Sequence, residues 1–274
     1  MSRPTNPETP LVAGAIDSHC HFLDMARKGV DVRGMLSRWV ESGGAWTVDV
    51  GVDLEGVQVR RTLAAGFPQV LRTHGLYPSV AAEPDVASLV ARLESLCRTD
   101  NPVAIGEIGL DYHRDYASPV RQQDLFRRQI ALAHKLSRPV VVHNRAADLD
   151  LLSALRDSTL ERCGVMHCFS GDLSFARKCI DAGFYLSFAG NVTFKNADSL
   201  RDVARYVPDD RLLVETDAPY LAPHPLRGRT NHPGLIGHTY ACVADARGIS
   251  ADGLAQLVLS NFTRLFRPEE YYEL

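Results

Sequence analysis

The sequence predicts an α/β protein, a (β/α)8 TIM barrel, on three observations. Eight short apolar runs alternate with stretches of helical periodicity, as repeated βαβ units on a parallel sheet require. The 274 residues match the length of one such barrel, about 250 residues. Where a doubly wound open sheet would carry a glycine-rich phosphate loop after its first strand, His19-Cys20-His21 stands instead.

The predicted strands are residues 16–22, 46–52, 70–77, 103–110, 139–143, 164–169, 184–188 and 212–216. They are rich in Val, Ile and Phe without strict alternation, which fits strands covered on both faces. Between them, Val32, Met35, Leu36, Trp39 and Val40 fall on one helical stripe, as do Val86, Leu89, Val90, Leu93, Leu96 and Cys97. Leu200, Val203, Ala204 and Val207 repeat the pattern before the eighth strand. Asp172 is a candidate cap for the helix after the sixth strand, and Gly183 a candidate stop. Residues 237–247 and 251–266 read as closing helices, with Leu254, Leu257, Val258 and Leu265 on the buried face. No linker divides the chain, so residues 1–274 read as a single TIM-barrel domain with an irregular N-terminal segment at 1–14.

Thirty basic against 33 acidic side chains give a formal charge of −3. That argues against a broad basic face for duplex nucleic acid, but leaves room for a strand end gripped by a few cations and a metal. The six cysteines form no CxxC pair and read as reduced thiols. The first residues lack the pattern of a secretory leader. No run approaches the roughly 20 apolar residues of a membrane span. The expectation is a cytoplasmic protein with no membrane partner and no obligatory protein partner.

In a (β/α)8 barrel the chemistry sits at the C-terminal ends of the strands. There the first strand ends in His19 and His21, the fourth in Glu107, the fifth in His143, the sixth carries His167, and the eighth ends in Glu215-Thr216-Asp217. Side chains alternate along a strand, so His19-x-His21 would send both imidazoles to one face. One such pair is a weak signal, more often hydrogen-bonded or exposed. Six candidate ligands at five strand ends are a strong one, and His19, His21, Glu107, His143, His167 and Asp217 are the candidate metal ligands. Four imidazoles and two carboxylates exceed the needs of one four-coordinate zinc and suit two divalent ions bridged by a carboxylate. Histidine-rich ligation suits Zn²⁺ or Mn²⁺, while carboxylates and a phosphate substrate suit Mg²⁺. Asp217 and Glu107 are the candidate catalytic carboxylates, Asp217 also as acceptor of the nucleophile's proton.

Other residues point less sharply. His113, His134, His224, His232 and His238 read as exposed or packed, and His74 is evenly balanced between packing and a site role. Arg145, two residues past His143, suits bidentate pairing with a phosphate. Lys195, Arg227 and Arg229 are further candidate substrate contacts, salt bridges being the equally frequent alternative. Tyr112, Phe169 and Tyr220 follow ligand motifs and could stack bases, although packing under a loop is commoner for each.

Five segments carry a family resemblance: Asp17-Ser18-His19-Cys20-His21, Gly106-Glu107-Ile108-Gly109-Leu110-Asp111-Tyr112, Pro139-Val140-Val141-Val142-His143-Asn144-Arg145, His167-Cys168-Phe169-Ser170-Gly171 and Glu215-Thr216-Asp217-Ala218-Pro219-Tyr220-Leu221. Thr193-Phe194-Lys195-Asn196, Arg227-Gly228-Arg229-Thr230-Asn231 and Asn261-Phe262-Thr263-Arg264-Leu265-Phe266 add to it. In this order the chain resembles the TatD-like hydrolases, the TatD-related deoxyribonucleases. The resemblance implies a two-metal site, with His19, His21, Glu107 and Asp217 around one ion and Glu107, His143 and His167 around the other. It also implies a metal-dependent nuclease removing nucleotides from a 3′ end of single-stranded or unpaired DNA, with RNA or another phosphodiester as alternative substrates. Two departures stand out. Tyr77 takes the place of a histidine usual after the third strand, which makes it a candidate substrate contact, and Ala146 replaces the Asp usual after Arg145.

An amidohydrolase or esterase, such as an aminoacyl-tRNA deacylase, would keep the metals and change the bond cleaved. A binding protein on the same scaffold would not need the intact ligand set.

Overall fold

Eight parallel strands follow one another in chain order around the molecule: β1 (Ile16–Cys20), β2 (Trp46–Asp49), β3 (Val70–His74), β4 (Ala104–Asp111), β5 (Val140–Arg145), β6 (Gly164–Met166), β7 (Tyr185–Phe188) and β8 (Leu212–Val214). The structure is a computed structural model describing residues 9–10, 12–156, 160 and 162–271. Residues 1–8 and 11 of the N-terminal segment lie outside the described residues. All eight predicted strands are present, each starting within one residue of its expected position. Most end earlier, because backbone pairing stops where the chain turns into the loops of the barrel mouth.

Among the described residues ten α-helices surround the sheet: α1 (Phe22–Arg27), α2 (Val32–Glu41), α3 (Val57–Ala64), α4 (Val86–Asp100), α5 (Pro119–Lys135), α6 (Asp148–Arg156), α7 (Leu173–Asp181), α8 (Asp198–Tyr206), α9 (Gly237–Arg247) and α10 (Ala251–Phe266). Their starts follow from capping chemistry: Asp31, Asp85, Asp172 and Ser250 each accept a backbone N–H three residues on. The apolar stripes face inward as their periodicity requires, with Val32, Met35, Leu36 and Trp39 of α2 buried. Val40 is a correction, 37% exposed at the edge of the stripe. In α4 only Leu93 and Cys97 are fully buried. All six cysteines are unpaired. Among the described residues no helix is long and apolar enough to cross a membrane.

The seam between β8 and β1 closes the barrel just beyond the last residue of β8. There Asp217 N–H donates to the His19 carbonyl at 2.9 Å, and His21 N–H to the Ala218 carbonyl at 2.7 Å. Below them Asp17 accepts the Thr216 N–H at 2.9 Å and its hydroxyl at 2.6 Å. Burial pushes the Asp17 carboxyl up to about 7, against the pull of these hydrogen bonds. The closing helices secure the same strands. Tyr240 of α9 accepts from the Ile16 N–H and donates to its carbonyl, and Asn261 of α10 donates to the carbonyls of Asp209 and Leu212.

Candidate metal centre at the barrel mouth

Glu107 is the centre of the arrangement. Its strand runs close against β5, because a Cβ at Gly106 would lie 2.5 Å from the Val141 side chain and one at Gly109 2.0 Å from the His143 carbonyl. Gly109 also has φ of +143°, a conformation favouring glycine. The two Glu107 carboxylate oxygens then divide four histidines into pairs. Oε2 lies 3.5 Å from Nε2 of both His19 and His21. Oε1 lies 3.1 Å from His143 Nδ1 and 2.9 Å from His167 Nε2.

Asp217 completes the first group, its Oδ1 3.8 Å from His19 Nε2 and 3.5 Å from His21 Nε2. Asp217 has φ of +53° and Cys168, beside His167, +44°. Left-handed backbone costs a non-glycine residue of order 1–3 kcal/mol and is held only where the surroundings fix it. Here the fixing bonds are Asp217 N–H to the His19 carbonyl and Cys168 N–H to Glu215 Oε1 at 2.7 Å.

The sequence places His19 and His21 on one strand face, but His21 lies beyond β1, at the N-terminal cap of α1. Its backbone is still extended there, with φ −121° and ψ 95°, so the alternation continues and the Nε2 atoms of the two histidines are 3.1 Å apart. His21 Nδ1 faces the Val50 carbonyl at 3.1 Å. His167 Nδ1 faces Glu215 Oε1 at 3.4 Å.

The charges of this cluster depend on one another. Burial would raise the Glu107 carboxyl, but the surrounding histidines hold it well below the usual carboxylate range. Asp217 is likewise held down, chiefly by His21, against burial. Burial would lower His21, but Asp217 and Glu107 raise it to about 9. His167 and His143 are raised against burial in the same way, mainly by Glu107 for the first and by Asp111 and Glu107 for the second. His19 is lowered by burial and by His167, whose ring stacks on it at 4.0 Å. The imidazoles and the two buried carboxylates thus favour one another's charged forms, and divalent cations there would favour the carboxylates in the same way. Two triads have donor atoms close enough for one ion, His19–Glu107–His167 and His19–His21–Asp217. His143 Nδ1 reaches the first group, 3.2 Å from His167 Nε2. The nitrogen and carboxylate donor set fits divalent metal.

The centre opens into a cavity of about 1200 Å³. Arg114, Arg145, Arg227 and Arg229 lie on its walls, together with Asp53 and Glu83. Phe194 and Tyr220 add flat surfaces, with Arg227 over the Phe194 ring at 4.1 Å and the Tyr220 hydroxyl donating to Asp24 at 2.8 Å. Of the residues expected at the mouth, Arg145, Arg227, Arg229, Tyr77 and Tyr220 line it, whereas Lys195 is exposed and outside the lining, which Phe194 provides. Phe169 takes the packing role, the commoner expectation for it: it is buried between Phe175 and Phe188. Tyr112 donates to Asp150, also outside the lining. His74 is buried against Asp100 on the side of the barrel, a structural pair at 2.5 Å. Sequence reasoning missed Asp111, Glu215 and Arg114. Asp111 stands one turn of strand past Glu107, and the signal for it was its place at the end of the GEIGLD run.

A closed parallel barrel with buried histidines and carboxylates converging at its C-terminal mouth defines the class of metal-dependent hydrolases. A family model described as TatD related DNase matches residues 16–267, and the chain belongs to that family. It is 41% identical over 255 residues to the metal-dependent hydrolase YcfH of Escherichia coli K12, covering 92% of this chain and 95% of the relative. It is 35% identical over 252 residues to the metal-dependent hydrolase YabD of Bacillus subtilis, covering 92% and 98%. The crystal structure of YjjV, a TatD homologue from Escherichia coli K12, superposes with a TM-score of 0.86 at 31% identity, covering 93% of this chain and 98% of that one. The protein is a metal-dependent hydrolase of the TatD family.

Proposed function

We propose that this hydrolase cleaves phosphodiester bonds at single-stranded or unpaired DNA ends, as a 3′–5′ exodeoxyribonuclease working with two divalent ions, Mg²⁺, Mn²⁺ or Zn²⁺. The observation that carries the proposal is the division of the histidines between the two oxygens of Glu107. His19, His21 and Asp217 with Glu107 Oε2 would hold one ion, and His143 and His167 with Glu107 Oε1 the other. Bound there, the ions would polarise a phosphoryl oxygen and lower the pKa of water from about 15.7 toward 7.

The chain's own residues do the rest. Asp217, ionised and facing the cavity, would accept the proton of the attacking water. Arg145 and Arg227 would pair with phosphate oxygens and set the strand end in register. Tyr220 and Phe194 offer faces on which terminal bases would stack. A mouth bearing both signs of charge suits a strand end held at a few points better than a length of duplex. Six unpaired cysteines agree with a reducing compartment, and we place the protein in the cytoplasm.

A second substrate class, an aminoacyl ester such as aminoacyl-tRNA, is favoured by the Asp53 and Glu83 carboxylates on the cavity wall, which would attract an amine. Cleavage of 5′-labelled single-stranded DNA by chelated protein, with each metal restored separately, separates the two. A metal-dependent ladder shortening from the 3′ end is the expected result. Metal uptake without cleavage of any nucleic acid, alongside hydrolysis of a carboxylic ester, would transfer the assignment to the second class.

A further inference from the structure

We infer that Tyr77 is a positioning residue, a hydroxyl link between Asp111 and His143 that keeps the His143 proton on Nε2 and turns a bare Nδ1 toward Glu107. The inference rests on His143 being a cation ligand, as proposed above. Tyr77 enters from the loop after β3, and its Oη lies 3.2 Å from Asp111 Oδ2 and 3.1 Å from His143 Nε2. The direct separation of His143 Nε2 from Asp111 Oδ2 is 3.4 Å, longer than either contact of the hydroxyl. The hydroxyl therefore supplies the short path between them.

The direction of that path follows from which groups can donate. An ionised carboxylate only accepts. Asp111 Oδ1 already takes the N–H groups of His113 and Arg114 at 3.1 and 3.0 Å. Gln122 of α5 holds the Asp111 backbone at both N–H and carbonyl. The one hydrogen of the phenol goes to Asp111 Oδ2, which leaves Oη as an acceptor toward His143. His143 Nε2 must then be the donor, and in a neutral imidazole Nδ1 is left with its lone pair. That atom is the one near Glu107 Oε1 and His167 Nε2, where the donor atoms converge.

The ring is fixed for this task. It meets Tyr116 edge-on with centroids 6.0 Å apart and lies 4.9 Å from the His143 ring. Arg114 in turn donates to the Tyr116 hydroxyl at 2.6 Å. Two of the other candidate ligand histidines have different neighbours: His21 Nδ1 faces a backbone carbonyl and His167 Nδ1 lies 3.4 Å from a Glu215 oxygen.

The test is calorimetric titration of Zn²⁺ into chelated wild-type, Tyr77→Phe and His143→Ala proteins, with thermal melts of each in the chelated form. His143→Ala is expected to lose one of two binding events. Tyr77→Phe is expected to keep both and weaken one by about 10- to 100-fold, the usual effect of removing a group that orients a ligand, with its melting temperature unchanged. Unaltered Zn²⁺ affinity in Tyr77→Phe, beside a lost event in His143→Ala, overturns the inference alone. Two unaltered events in His143→Ala overturn the ligand role beneath it. Loss of melting temperature in step with affinity would make Tyr77 a packing residue and likewise overturn the inference. Should Tyr77→Phe not fold, the ¹⁵N-histidine spectrum of zinc-loaded wild-type protein decides: a proton on His143 Nε2 is expected, and one on Nδ1 overturns the inference.

Discussion

The two halves of the ligand cluster are built from different materials. His19, His21 and Asp217 sit on the β1–β8 seam, and what orients them is backbone: the Val50 carbonyl behind His21, the His19 carbonyl under the Asp217 N–H and the Ala218 carbonyl under the His21 N–H. Glu107, His143 and His167 sit on β4 to β6, and what orients the two histidines is side chains: Asp111 and Tyr77 behind one, Glu215 behind the other. The seam half is therefore set by barrel closure and changes little with neighbouring substitutions. The β4–β6 half is tunable one residue at a time.

Glu107 belongs to both halves, so its loss has the largest consequence. Glu107→Ala is expected to lower turnover by at least about 10⁴-fold, the scale for removing an essential group, and to cut metal content. Atomic absorption finding two ions per chain in this variant would sink the bridging role. Asp217→Ala touches one half only. Turnover should fall about 10³-fold while the circular dichroism spectrum and melting temperature stay near wild type. Wild-type-like cleavage after saturation with metal would remove Asp217 from the mechanism.

Acidity gives a test of the seam half. His21, raised to about 9 from 6.5, contributes stability to the chelated protein that is fully present below pH 6.5 and is lost as pH rises through about 9. A shift of that size corresponds to roughly 3 kcal/mol. Metal binding runs the other way over the same interval, tightening with pH as the proton is more easily displaced. Chelated-protein stability that is flat between pH 6.5 and 9 would contradict the seam geometry. The smallest effect is expected for Glu215→Gln, which removes a charge but keeps the shape. Its affinity for one ion should weaken by about tenfold, the lower end for lost support of a ligand, with the other ion unaffected. Equal weakening of both would erase the distinction between the halves.

The same contrast explains what could be read from the chain. Parallel barrel strands are unbroken apolar runs, so their number and order were legible. The convergence of the candidate ligands was legible too, because the barrel sends strand ends to one mouth. What orients them was not. Tyr77, Asp111 and His143 meet from three separate strands and their loops, and no local spacing marks that meeting. For Phe169 and Tyr112 packing was the commoner expectation, but sequence adjacency to a ligand motif could not say which side of a loop each ring takes; one is in the core and the other turned to Asp150.

The β1–β8 seam has a consequence during synthesis. His19 and His21 leave the ribosome in the first strand, whereas Asp217 follows the last, and it is bonded to the His19 carbonyl. A growing chain thus lacks Asp217 for most of translation. On the function proposed above, cutting would begin only once the final strand docks on the first, and the nuclease would stay harmless to the nucleic acids around it until its own chain has been made.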